Sequence, residues 1–230
     1  MALADEIRKL QDRALADLNA VHDYYTDTKL AWDVVEEYIA AGKTIAALNI
    51  VTGTQTTEAG LRGKAQLYVR HLAEATFQQF ISIFEDFLID FLRLWLQAYP
   101  HSLSNKTVTF EDILNAADKG AIISHVINRQ LYAMGHDRPA EWFAYLEKLA
   151  KLGCPTESEI ERIAEAKASR DLLVHNRGVA NETYEDKAGK LARYKDGDRI
   201  DIPEPYHLAT WELIRKLVTD ISDAASAKAP

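Results

Sequence analysis

Residues 77–95 read Phe77-Gln78-Gln79-Phe80-Ile81-Ser82-Ile83-Phe84-Glu85-Asp86-Phe87-Leu88-Ile89-Asp90-Phe91-Leu92-Arg93-Leu94-Trp95. The phenylalanines at 77, 80, 84, 87 and 91 are spaced by alternating steps of three and four, and Leu94 and Ala98 continue the series. That spacing places all of them on one stripe of an α-helix. Ile81, Leu88, Leu92 and Trp95 widen the stripe, while Gln78, Ser82, Glu85, Asp86 and Arg93 leave only a narrow polar face. A helix this apolar is either the central helix of a bundle or half of a dimer interface. It extends back to Glu58, and Pro100 ends it.

On the N-terminal side, residues 4–41 carry a helical stripe through Ile7, Leu10, Ala14, Leu18, Val21 and Tyr25, then Trp32, Val35 and Ile39. Thr26-Asp27-Thr28 reads as a cap that divides this stretch into two helices or bends one. Residues 43–57, with β-branched side chains and Gly53, read as a connector. Downstream, Thr109 caps a short helix at 110–117, Gly120 marks a break, and helices follow at 121–134 and 139–152. Thr156 and Glu159 have capping-box spacing for a helix that runs to about His175 and ends before Gly178. Residues 181–189 read as a further turn or short helix. Asp196-Gly197 lies between 191–195 and 199–202, a hairpin signal, and a last helix covers 205–225. The expected fold is an all-α helical bundle with long N-terminal helices and one small β-hairpin near 191–202. Residues 1–57 form a helical extension packed on the bundle of residues 58–230.

The chain has 230 residues, 47% of them hydrophobic and 27% charged, which suits one sizeable core and excludes global disorder. Its formal net charge is -8, so a broad basic surface for nucleic acid is not expected; a local basic strip is compatible with that total. No 18-residue stretch is free of charge, so no membrane partner is expected. Acids near the start do not fit a signal peptide, and the single cysteine, Cys154, has no internal disulfide partner. A cytoplasmic protein is the expectation.

The chemistry concentrates in Ala168-Ser169-Arg170-Asp171-Leu172-Leu173-Val174-His175-Asn176-Arg177-Gly178. Four residues stand between Arg170 and His175, and the advance of five positions along the helix is roughly 7.5 Å, a gap the long arginine can largely close. Asp171 and His175 are four apart and share a face, so the carboxylate can hold the imidazole. A cation beside a titratable imidazole is the pair that phosphodiester cleavage without a metal requires. One group moves protons, and the other stabilises charge on the phosphoryl oxygens.

This segment resembles the Arg-x4-6-His signature of the HEPN superfamily, in the form found in its bacterial RiboL-PSP-HEPN-like branch. Phe84-Glu85-Asp86-Phe87-Leu88 and the stretch from Ala188-Gly189 through the terminal helix extend the likeness over residues 60–225, leaving the N-terminal helix outside it. The resemblance implies a helical, homodimeric, metal-independent endoribonuclease, a toxin or antiviral defence effector, with Arg and His of two protomers forming one composite site. The alternative is a catalytically inactive module that binds RNA, nucleotide or a partner protein. By this resemblance Arg170, His175 and Asp171 are the catalytic set. Asn176 and Arg177 hold flanking phosphate or sugar, RNA is the substrate, and an antitoxin or regulatory protein is a further partner.

The run Lys187, Lys190, Arg193, Lys195 and Arg199 follows the motif closely and could steer RNA phosphates. Arg129 and His136 also fit the loose spacing, but they straddle Gly135 and no acid follows the arginine, so they read as a decoy. His71 and Glu74 are a single pair at i, i+3 and do not make a metal site. No cofactor or metal is expected. Glu85 and Asp86 are either exposed or partners for Arg170 or Arg93, and Cys154 reads as a buried or turn thiol rather than a nucleophile.

Overall fold

The computed structural model describes residues 2–42, 58–103, 105–135 and 137–229. The expected connector at 43–57 and His136 of the decoy pair lie outside them. Among the described residues, eight α-helices follow one another: α1 (Leu3–Ala40), α2 (Glu58–Ala98), α3 (Phe110–Asn115), α4 (Lys119–Met134), α5 (Pro139–Ala150), α6 (Glu157–His175), α7 (Glu182–Ala188) and α8 (Glu204–Ser226). The all-α expectation holds. No helix among the described residues is long and apolar enough to cross a membrane.

The Phe stripe of α2 is the intramolecular core. Phe77, Phe80, Phe84, Phe87 and Phe91 are all buried within the single chain, and burying a side chain of that size stabilises the fold by about 1.5–3 kcal/mol. Phe80 packs on His207 of α8 and Phe84 on Phe143 of α5, with ring centroids 4.8 and 6.3 Å apart. The stripe is therefore not a free dimer face. α1 lies along α2 and α8, and its Ile7, Leu10 and Leu18 join the same core cluster.

α1 is continuous through Thr26-Asp27-Thr28. Thr26 Oγ1 donates to the Asp23 carbonyl, 3.1 Å away, so the hydroxyl bonds back into its own helix instead of capping a new one. The capping boxes at Thr109 and Thr156 form as the spacing predicts. Gly120 does not break a helix: Asp118 caps α4 by accepting from the Ala121 amide, which places Gly120 in the first turn.

The hairpin near 191–202 is not formed. The Asp196-Gly197 turn exists, closed by the Asp198 amide on the Lys195 carbonyl at 2.9 Å, but the returning chain pairs elsewhere. Ala180 donates to Asp198, Gly197 to Ala180 and Ile200 to Gly178, leaving one isolated bridge between Val179 and Arg199. The stretch expected to be the first strand begins in a 3-10 turn at Gly189–Leu191 and then carries Arg193 into the interior. Its bonding groups are spent there and not on a ladder.

Candidate active site: the end of helix α6

The Thr156 capping box starts α6: Thr156 Oγ1 accepts from the Glu159 amide, and Glu159 accepts from the Thr156 amide at 2.8 Å. Hydrogen bonds from Lys216 and Thr156 hold the Glu159 carboxyl down at about 2. The helix ends at His175. The amides of Asn176 and Gly178 both donate to the Leu172 carbonyl at 2.9 Å, and Gly178 takes φ +71°, a conformation that favours glycine. α6 is buried on two sides. Ile163 and Ala166 face the main core, while Ala168 and Leu172 form a second small core with Ala180, Tyr184, Ala188 and Ile200. Small residues on α6 let α7 and the 178–202 loop approach closely.

A cavity of about 410 Å³ opens where α2, α4, α5, α6 and α7 meet. Arg170, Asp171, His175 and Lys187 all line it, together with Lys167 and Glu85. Four of the expected site residues thus converge on one space. Within it Arg170 forms an ion pair with Glu85 through Nη2 and with Asp171 through Nη1 at 3.1 Å. Lys167 Nζ lies 3.3 Å from both Glu85 and Asp171, and Lys187 Nζ lies 3.6 Å from Asp171. The lining holds three permanent cations against two carboxylates, before His175 is counted.

Asp171 does not hold the imidazole as its spacing predicts. Its oxygens are taken by Lys167, Arg170 and Lys187, and His175 stands exposed at the helix end. Three cations on a half-buried carboxylate occupy its lone pairs. Glu85 proves to be the partner of Arg170, and Asp90, not Glu85 or Asp86, pairs with Arg93.

The other expected RNA contacts are dispersed. The Asn176 side chain donates to the Val179 carbonyl and shapes the turn. Arg177 is exposed in a left-handed conformation at φ 54°. Lys190 pairs with Glu161 at 2.6 Å on the surface, and Lys195 pairs with Glu185 at 2.7 Å. Arg193 is built into the interior: its Nε donates to Glu165 at 3.1 Å and its guanidinium lies 3.4 Å from the Tyr206 ring centroid. Of the basic run only Lys187 reaches the cavity.

Two features escaped the sequence reading. Lys167 stands four residues before Asp171, an i, i+4 spacing that could have revealed it. Glu165 is only 3% exposed and accepts from Ser169, Tyr184, Arg193 and Tyr206 at 2.6–3.1 Å. Burial together with the Glu165 charge pushes Tyr184 up to about 12 and Tyr206 well above its ordinary value, so both phenols remain donors. Burial likewise raises the Cys154 thiol, which disfavours its nucleophilic form. Among known proteins the chain matches no family model, no curated protein and no solved structure.

Proposed function

We propose that this chain is a metal-independent endoribonuclease of the HEPN type that cuts RNA by transesterification through Arg170 and His175. The observation that carries this reading is the single cavity lined by Arg170, His175, Lys167 and Lys187. The His175 imidazole takes the proton of a ribose 2′-hydroxyl, and the 2′-oxygen attacks the adjacent phosphorus. The bond from phosphorus to the 5′-oxygen breaks, and that oxygen takes a proton from an imidazolium. The products carry a 2′,3′-cyclic phosphate and a 5′-hydroxyl. A second copy of the chain, in a homodimer, supplies the second imidazole. The exposure of His175 at the helix end favours such a composite site.

Arg170 stabilises charge on the non-bridging oxygens, and Glu85 and Asp171 hold its guanidinium in position beforehand. Lys187 is the cation most easily recruited. Its side chain is 40% exposed and its contact with Asp171 is long, an interaction of about 0–1 kcal/mol. A phosphate entering the cavity therefore competes with Asp171 for this ammonium at little cost. Such an enzyme acts in the cytoplasm as a toxin or antiviral effector, with an antitoxin or regulatory protein restraining it.

The second reading is a catalytically inactive module that binds RNA, nucleotide or a partner protein. It is favoured by the pairing of both terminal nitrogens of Arg170 with carboxylates. Incubating the purified protein with mixed RNA in excess chelator separates the two. Cleavage that persists in chelator and disappears in His175→Ala is the expected outcome. Intact RNA retained by the wild-type protein supports the binding module instead.

A further inference from the structure

We propose that the apolar side of the same cavity seats one unpaired nucleobase, received by Leu88 and Ile89 of α2, Met134 of α4 and Trp142 of α5. The identity of the ligand rests on the RNA reading above. The lining divides by chemistry. Charged groups come from α6, α7 and Glu85, while these four apolar residues supply the rest together with Gly135; Leu88, Met134 and Trp142 are only 2–5% exposed, so they show the cavity their edges, and Ile89 is the half-buried member of the wall. Phosphate recognition alone needs no such wall, since phosphate contacts are made by charged and polar groups at the surface. A pocket that pairs an apolar wall with a few convergent charges suits a ligand with an apolar body and an anionic end. In RNA, that ligand is a splayed-out base with its phosphate.

The size agrees. The cavity of about 410 Å³ lies in the lower part of the range for small-molecule sites and admits one nucleotide, not a stacked duplex. The wall is also rigid. Trp142 Nε1 donates to the Met134 carbonyl at 2.7 Å, which ties α5 to the end of α4. Lys167 Nζ stands 5.5 Å from the Trp142 ring centroid, on the boundary between the apolar and charged sides. That is the position where the sugar-phosphate of a seated base would lie. Gly135 has an ordinary φ of -58°, so its backbone does not demand glycine. A base leaving its stack for this seat recovers contact with a preformed surface and incurs little further ordering cost.

The test uses full-length His175→Ala, so that bound RNA is not consumed, and fluorescence anisotropy of 5′-labelled pentamers. Pentaadenylate and pentauridylate are compared with a ribose-phosphate pentamer of the same length lacking bases. At least one base-bearing pentamer is expected to bind about tenfold more tightly than the abasic one. Ile89→Ala, at a half-buried wall position, is expected to reduce that preference. Equal affinity for the three pentamers, or no binding of any, overturns the proposal without recourse to a variant. The outcomes also separate the two readings. Base-selective binding by a protein that cuts no RNA refutes the ribonuclease and keeps the seat. RNA cleavage with no base preference in binding keeps the ribonuclease and refutes the seat.

Discussion

His207 is fully buried on α8. Thr76 Oγ1 lies 2.8 Å from both the Leu72 carbonyl and His207 Nε2, a contact that a neutral ring satisfies as donor or as acceptor. Nδ1 has no hydrogen-bond partner among the described residues. Burial, with His22 adding a smaller repulsion, lowers the His207 pKa from 6.5 to about 4. Burial lowers His22 as well, where it stacks on Trp211 with ring centroids 4.0 Å apart. Between pH 4 and 6.5 the unfolded chain binds the proton that folded His207 refuses, so stability rises with pH across that window. It is fully present above pH 6.5 and falls as the pH drops toward 4, by about 3 kcal/mol. Urea denaturation at pH 7.5 and 4.5 is expected to show this loss, and His207→Leu to flatten it. An unchanged slope in the variant would place the acid sensitivity elsewhere.

At the scale of elements, the Glu165 network joins α6 to α7, the 189–202 segment and α8. Ser169, Tyr184, Arg193 and Tyr206 all bond its carboxylate. Glu165→Ala strands the Arg193 guanidinium among aromatic rings without its counter-charge. The expected cost is about 3–5 kcal/mol of unfolding free energy, read by denaturant titration. A loss below about 1 kcal/mol would mean that the guanidinium finds water or another partner. This network also marks a limit of sequence reading. Arg193 looks like one more cation in a basic strip, because nothing nearby in sequence announces that Glu165 will neutralise it. The Asp196-Gly197 turn was legible, since it depends on local backbone preferences. Its pairing partner was not, because the positive-φ turn at Gly178 decides which chain returns alongside. The caps at Thr109 and Thr156 are local and form as read. Thr26 shows the converse, since a residue that can cap can equally bond back within a helix.

At the scale of the molecule, the Phe stripe assigned α2 to the centre but left open whether its partners were intramolecular. The packing of α1, α4, α6 and α8 around it answers that. The same packing brings Glu85 from the narrow polar face of α2 onto Arg170, 85 residues away, a contact that helical spacing alone suggested only as one alternative. The proposed function rests on the convergence of Arg170, His175, Asp171 and Lys187 on one cavity. If transesterification occurs there, the nucleophile belongs to the substrate, and removing one hydroxyl should stop one cut. The most direct measurement is cleavage, in chelator, of an RNA cut at a mapped linkage against the same RNA with a single 2′-deoxyribose at that linkage. The expected result is cutting of the all-ribose strand, with a 2′,3′-cyclic phosphate end, and none at the deoxy linkage. Cutting of both strands, or of neither, would contradict ribonuclease action at Arg170 and His175.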